Sequence, residues 1–105
     1  MLYEGALKFC NQAIAAVEQN DMAKAHELIL RTENIIREFQ LTLDRNYDVS
    51  KYLESMYDYI YTRLVEANIH KDKSILAEIR NMIREFRDTW AEAMKSARIA
   101  NATAR

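Results

Sequence analysis

Apolar residues recur at steps of three and four along four stretches of the chain, which places them on one face of an α-helix in each stretch. The pattern predicts helices over about residues 2–19, 21–43, 49–70 and 74–97. Residues 98–105 are weakly periodic, and we expect either a frayed helix end or an added tail there. The side chains predicted to face the core are Tyr3, Ala6, Leu7, Cys10, Ile14, Val17, Ala25, Leu28, Ile29, Ile35, Ile36, Phe39, Leu43, Val49, Leu53, Met56, Ile60, Leu64, Ala67, Ile75, Ile79, Met82, Ile83, Phe86, Trp90, Ala93 and Ala97.

Short polar segments separate the four stretches. Asn20 and Asp21 can end the first helix and cap the second, since their side chains accept backbone N–H bonds. Residues 44–48, DRNYD, are the best loop candidate, and Asp72 or Ser74 can cap the fourth helix. The chain has one glycine and no proline, the residues that most often interrupt helices. Four amphipathic helices with short connections pack most simply as an all-α, antiparallel up-down four-helix bundle, and 105 residues make a single domain.

The charge balance and the cysteine content narrow the class of protein. Fifteen Lys and Arg residues stand against 16 Asp and Glu residues with no basic stripe, which argues against a nucleic-acid partner. No apolar run approaches the roughly 20 residues that cross a bilayer, so we expect a cytoplasmic protein that does not insert into membranes. Cys10 is the only cysteine, which excludes an intrachain disulfide and is typical of a small buried hydrophobe.

Residues that carry chemistry are sparse. The two histidines, His26 and His70, do not follow a glutamate by three residues, as ligands in di-metal helical bundles do. One glycine cannot build a phosphate-binding loop, and no nucleophile motif is present. Acids such as Glu33 alternate with bases along the second helix, a pattern typical of a solvated surface. We predict no enzyme activity and no cofactor; only buried Glu or His side chains on facing helices would favour an enzyme.

Several large apolar residues fall outside the core-facing stripes. Leu2 and Phe9 point away from the stripe of the first helix, and Leu30 and Leu41 lie opposite the stripe of the second. Two pairs of tyrosines flank the third helix, namely Tyr57 with Tyr61 and Tyr52 with Tyr59. Isolated surface hydrophobes are normal in soluble proteins. Contiguous patches that form external grooves would instead suit an amphipathic partner helix.

Four segments, in order along the chain, resemble the FliS-type flagellin chaperones. Residues 2–6, LYEGA, are similar to that family's Leu-Tyr-acid-Gly-Ala signature in the first helix. Residues 25–44 resemble its second helix, with an Ile-Ile pair and a closing Leu-Asp. Residues 52–72 are similar to its Leu-Tyr-Asp-Tyr core followed by Arg-Leu, Glu-Ala-Asn and Lys-Asp, and residues 84–93 resemble its ending around one tryptophan. The resemblance covers the chain to about residue 93.

The resemblance implies a cytoplasmic chaperone that binds the disordered C-terminal region of flagellin. Such a chaperone prevents premature polymerisation and presents its client to the export gate of the flagellar type III apparatus. A client segment that folds into helices on binding would lay its apolar faces into external grooves. The residues expected to contact flagellin are Leu30, Leu41, Tyr57, Tyr61, Leu64, Ile75, Leu76 and Ile83.

Two further expectations concern self-association. Members of the family carry a segment before the Leu-Tyr motif that can lie over part of the client surface, whereas here Met1 stands directly before the motif, as in a shortened chain. We therefore expect an exposed apolar strip along the first helix near Phe9, which would favour a homodimer or a domain-swapped dimer. The alternative function is a helical dimerisation or scaffold protein that has no secreted client.

Overall fold

The computed structural model describes the backbone of residues 2–46 and 50–104, and the side chains there except those of residues 2, 93, 94 and 96–104. Four α-helices make up the regular structure: α1 Leu2–Glu18, α2 Met22–Thr42, α3 Ser50–His70 and α4 Lys73–Ala104. The predicted all-α helical bundle is therefore confirmed. The sequence pattern placed the end of the fourth helix near residue 97, whereas α4 continues to Ala104 through an alanine-rich segment without glycine or proline.

Neighbouring helices run antiparallel and follow one another around the bundle. Residues early in one helix contact residues late in the next, as antiparallel packing requires. Between α1 and α2, Tyr3 contacts Phe39 and Phe9 contacts Arg31, and between α2 and α3, His26 contacts Asn68 and Gln40 contacts Asp58. Between α3 and α4, Tyr57 contacts Phe86 and Arg63 contacts Glu78, and between α1 and α4, Glu4 contacts Arg87 and Cys10 contacts Leu76. The order of contacts is therefore reversed in each pair of neighbours.

The turn between α1 and α2 combines a left-handed residue with a capping carboxylate. Asn20 has φ 61°, and the Asp21 N–H donates to the Ala16 carbonyl at 2.8 Å, which closes the end of α1. The Asp21 side chain accepts from the Lys24 N–H at 3.1 Å and so caps α2. Both residues have the roles that the sequence predicts for them.

The turn between α3 and α4 repeats this arrangement. Lys71 has φ 51°, and the Asp72 N–H donates to the Ala67 carbonyl at 3.2 Å. Asp72 Oδ1 accepts from the Ser74 N–H at 2.8 Å and from the Ser74 hydroxyl at 2.6 Å, and these bonds hold the pKa of Asp72 below its ordinary value. Of the two capping candidates, Asp72 is therefore the cap.

The core runs along the line where the four helices meet. Its small members, such as Ala13, Ala25 and Ala67, lie toward the two tight turns. Its aromatic members lie toward the opposite end of the bundle. The buried apolar residues are Tyr3, Ala6, Leu7, Cys10, Ala13, Ala16, Ala25, Leu28, Ile29, Ile36, Tyr57, Ile60, Leu64, Ala67, Leu76, Ile79 and Ile83.

Two positions differ from the sequence-based expectation. Trp90 was predicted to face the core but is 44% exposed, because α4 reaches past the ends of the helices that would cover it. Glu33 was predicted to be solvated but is buried. Burial raises the pKa of its carboxyl, and the nearby charges of His26 and Arg37 lower that pKa by less. Val49, Ala93 and Ala97, also predicted for the core, lie outside the described side chains.

Candidate functional site

A cleft of about 780 Å³ opens at the end of the bundle away from the two tight turns. It lies between the end of α2, the start of α3 and the middle of α4. Its size falls within the range of natural binding sites, about 300–1,000 Å³. Its apolar walls are formed mainly by Leu43, Leu53, Met56, Met82, Phe86 and Trp90.

Four aromatic rings, one from each helix, form the inner end of this cleft. The centre of the Tyr3 ring lies 4.6 Å from that of Phe39, which lies 5.5 Å from Tyr57. Tyr57 in turn lies 6.1 Å from Phe86. All four residues line the cleft. The rings thus form a connected row across all four helices, and the cleft opens beside that row.

A hydrogen bond joins two of the four rings. The hydroxyl oxygens of Tyr3 and Tyr57 lie 2.8 Å apart and are buried. Burial, together with this hydrogen bond, keeps the pKa of Tyr57 above its ordinary value, so its hydroxyl stays protonated at physiological pH. The floor of an otherwise apolar cleft therefore carries neutral hydroxyl groups rather than a charge.

The rim of the cleft is polar and partly acidic. Of the residues that the structure describes, Asp44 and Glu85 are the charged ones at this rim, and both are exposed. Tyr52 and Trp90 stand at the rim with their rings half in solvent. Aromatic side chains with a polar tip suit the edge of a binding site, where one end is dry and the other is wet.

Exposed apolar residues form a second surface, which we call the α2–α3 strip and define as Leu30, Val65 and Ile69. Leu30 is 40% exposed and Ile69 is 71% exposed. Leu30 follows His26 by one turn of α2, and Val65 follows Tyr61 by one turn of α3.

Two contacts between α2 and α3 fix the position of this strip. His26 Nδ1 lies 3.0 Å from Asn68 Oδ1, and the Arg37 guanidinium carbon lies 5.0 Å from the centre of the Tyr61 ring. Leu30 falls between His26 and Arg37 along α2. The α2–α3 strip therefore lies on the outside of the seam between these helices.

The eight predicted client contacts are divided between surface and core. Leu30 and Leu41 are exposed, and Leu41, at 78%, is the most exposed large hydrophobic side chain among those described. Tyr61 and Ile75 are half-buried against the core. The remaining four are buried because their helical faces meet the other helices; these are Tyr57, Leu64, Leu76 and Ile83.

The structure brings few of these residues together. Only Tyr57 reaches the cleft, where it belongs to the floor, while Leu30 lies in the α2–α3 strip. Leu41 and Ile75 belong to neither surface. Whether any of the eight contacts flagellin stays a prediction.

Sequence reasoning missed most residues of the cleft because it assigned them to the core stripes. One signal could have found them: Met56 and Met82 accompany aromatic residues on facing stripes. Methionine side chains are flexible and common at surfaces that adapt to peptide partners. Val65 and Ile69 of the α2–α3 strip were likewise visible in the sequence as large apolar residues off the stripe of α3.

The apolar strip expected along α1 is not found among the side chains that the structure describes. Phe9 packs against the core, and the Arg31 guanidinium carbon lies 5.6 Å from the centre of its ring. The exposed residues of α1 are polar or small, such as Glu4, Lys8 and Asn11. Leu2, the other residue expected on this strip, lies outside the described side chains.

Glu78 and Cys10, which lie outside the cleft, have structural partners. Glu78 of α4 accepts from the Tyr59 hydroxyl at 2.6 Å and from Arg63 at 2.9 Å, which ties α3 to α4 and holds the pKa of Glu78 below its ordinary value. The Cys10 thiol donates to the Leu76 carbonyl at 3.3 Å, and burial raises its pKa to about 12. A thiol so held is a poor nucleophile.

Within residues 2–46 and 50–104, no three His, Cys, Asp or Glu residues are grouped so that they could hold a metal ion. Over the same residues, no helix has both the length and the apolar character needed to cross a membrane.

Comparison with known proteins gives one family. Residues 1–97 match the family model described as "Flagellar protein FliS". The chain is 45% identical over 98 residues to the flagellar secretion chaperone FliS of Bacillus subtilis, covering 93% of this chain and 74% of the relative. It is 29% identical over 102 residues to FliS of Campylobacter jejuni, covering 95% and 80%, and 32% identical over 92 residues to FliSB of Pseudomonas aeruginosa, covering 86% and 73%. The chain thus belongs to the FliS family of flagellar proteins.

Proposed function

We propose that this chain is a cytoplasmic secretion chaperone that binds the C-terminal region of flagellin, prevents its premature polymerisation and delivers it to the flagellar export gate. The observation that carries the proposal is the apolar cleft in a member of the FliS family, whose curated relatives are named flagellar secretion chaperones. Chaperones of this kind act by binding and not by catalysis.

The cleft has the chemistry that a folding segment needs. A disordered segment that becomes helical on binding loses conformational entropy, and it must bury apolar surface to offset that loss. Met56, Met82, Phe86 and Trp90 offer such surface from two different helices, so an amphipathic helix can insert its apolar face between them.

The α2–α3 strip is the second contact in this proposal. Leu30, Val65 and Ile69 are exposed apolar side chains, and the client segment would continue across them after leaving the cleft. The path between the two surfaces passes the Gln40–Asp58 hydrogen bond at 2.7 Å and the Arg37–Tyr61 contact. This polar stretch separates two apolar anchors, which favours a client with two short helices over one with a single long helix.

Trp90 provides a direct test because it is the only tryptophan in the chain and it stands in the cleft. We expect that a flagellin C-terminal peptide without tryptophan will shift the fluorescence of Trp90 to shorter wavelength, because the indole ring leaves water when the peptide binds. The helical signal of the mixture should also exceed the sum of the two separate signals. An unchanged Trp90 spectrum under saturating peptide would contradict binding in the cleft.

A matched pair of variants locates the binding surface. Met56→Glu places a charge in the cleft and should weaken binding about tenfold or more, since the charge would be desolvated by the client. Met22→Glu introduces the same change at the start of α2, far from the cleft, and should leave affinity unchanged. Equal losses in both variants would argue against the cleft as the site.

The alternative, a dimerisation protein without a client, predicts a different result. In that case sedimentation would show that the chain alone forms a dimer. Added flagellin peptide would bind neither the dimer nor the monomer. Delivery is tested separately, by asking whether the cytosolic domain of the export gate binds the chaperone with flagellin more tightly than the free chaperone.

A further inference from the structure

We propose that the hydroxyl pair of Tyr3 and Tyr57 selects client segments that place a neutral oxygen acceptor at the floor of the cleft. This inference rests on the proposed function, because it assigns a chemical requirement to the same binding surface. Two hydroxyls in contact share one hydrogen bond, which uses only one of their two protons.

Each phenolic hydroxyl carries one proton and can also accept a hydrogen bond. The oxygens of Tyr3 and Tyr57 lie 2.8 Å apart, so one hydroxyl donates to the other. The accepting hydroxyl then has its own proton left over. No other hydrogen bond to either hydroxyl occurs within residues 2–46 and 50–104. The pair therefore holds one proton that has no acceptor in the described part of the chain.

The surroundings of this unpaired proton affect how tightly a client can bind in the cleft. Tyr3 is 8% exposed and Tyr57 is 5% exposed, and the rings of Phe39 and Phe86 flank the pair. Both residues line the cleft and keep a small exposed fraction, so water in the open cleft is the acceptor that remains. A client that displaces the water without replacing the bond leaves a buried donor unsatisfied, which weakens binding.

The client group that meets this requirement is a neutral oxygen. Inside a helix the backbone carbonyls are already bonded, so the acceptor is a side-chain oxygen of Ser, Thr, Asn or Gln, or a carbonyl at the end of a helix. A carboxylate is disfavoured because, among the described residues, the charged side chains lining the cleft are Asp44 and Glu85, both acidic. The selected motif is thus an amphipathic segment with one such oxygen among large apolar side chains.

Single and double variants separate this role from simple structural support. In Tyr3→Phe or Tyr57→Phe the bond between the rings is already lost, but one hydroxyl remains and can donate directly to the client. We expect each single variant to bind a flagellin C-terminal peptide within about twofold of the wild type. The double variant has no hydroxyl and should bind about fivefold to tenfold more weakly. Tyr59→Phe, which removes a hydroxyl outside the cleft, is the matched control and should leave affinity unchanged.

The outcomes distinguish the two proposals. Affinity is measured by titration calorimetry, and circular dichroism at the same temperature confirms that each variant is folded. Wild-type affinity in the double variant would overturn the acceptor requirement while leaving the proposed function intact. A loss in the single variants as large as in the double would also overturn it, since broken support would then explain the effect. If the wild-type protein does not bind the peptide, both proposals fail.

Discussion

The two ends of the bundle are built from different side chains, and the difference explains why the apolar cleft lies at the end away from the tight turns. Near the tight turns the core contains Ala13, Ala16, Ala25 and Ala67, all buried. Small side chains let helices approach closely, and each capped turn joins the ends of two neighbouring helices. We call this the closed end.

The open end uses aromatic rings at the corresponding positions. Tyr3, Phe39, Tyr57 and Phe86 span the four helices, and the cleft lies beyond them. Here the connection between α2 and α3 spans residues 43–49, longer than the tight turns at the other end. One bundle thus combines a closed end with a core of small side chains and an open end that carries the cleft.

The largest expected contrast is in thiol reactivity. Cys10 lies in the closed part of the core, and its pKa is about 12 against an ordinary value of 9.0. Its thiolate fraction at pH 8 is therefore about a thousandfold below that of an ordinary thiol. We expect a disulfide reagent to modify native Cys10 at least that much more slowly than the unfolded protein. In a Cys10→Ser, Met56→Cys variant the cleft thiol should react quickly; slow reaction there would mean that the cleft is covered.

Truncation of leucine should also separate the two ends. Leu76 is fully buried near the closed end, and Leu76→Ala should lower the free energy of unfolding by about 2–5 kcal/mol. Leu53 lines the cleft and is only half-buried, so Leu53→Ala leaves a smaller cavity and should cost about 1 kcal/mol. Urea unfolding followed by circular dichroism measures both. Equal losses would contradict the proposed division.

Substitutions that enlarge a side chain test the same difference in packing between the two ends. Ala67→Leu adds volume where the closed end has none to spare, and it should cost about 1–3 kcal/mol. Leu53→Phe adds volume beside the cleft and should change stability by less than about 0.5 kcal/mol. The same urea titration applies, and a tolerated leucine at residue 67 would show that the closed end is loosely packed.

The sequence was sufficient for the fold because its signals are local. The periodicity of apolar residues, a single glycine and no proline predict the helices, and Asp21 and Asp72 cap two of them as expected. The resemblance to the FliS family, which four segments indicated, is confirmed by the family match over residues 1–97. Membership of this chaperone family also agrees with the prediction that the chain is not an enzyme.

The candidate site was less accessible from the sequence because two of its determinants are not local. Periodicity gives the direction of a side chain around one helix, but not which directions the other helices cover. Tyr57 and Leu76 were assigned to the client surface for this reason, although both are buried. Periodicity also does not tell how far each helix reaches along the bundle, so Trp90 was assigned to a core that ends before it.

The smallest effect concerns the turns of the closed end. Lys71 has φ 51°, a left-handed conformation that disfavours most side chains, whereas glycine adopts it freely. Lys71→Gly should therefore raise the free energy of unfolding by about 0.5–1 kcal/mol, less whatever the lost bond from Lys71 Nζ to Asn68 Oδ1, 2.8 Å long, contributes. Asn20 has φ 61°, but asparagine tolerates this region, so Asn20→Gly should change stability by no more than a few tenths of a kcal/mol. Thermal unfolding of both variants gives the comparison. A Lys71→Gly protein less stable than the wild type would mean that the lysine's bonds to Asn68, and not its backbone, decide the stability of this turn, so that the closed end would depend on a side-chain contact at its surface.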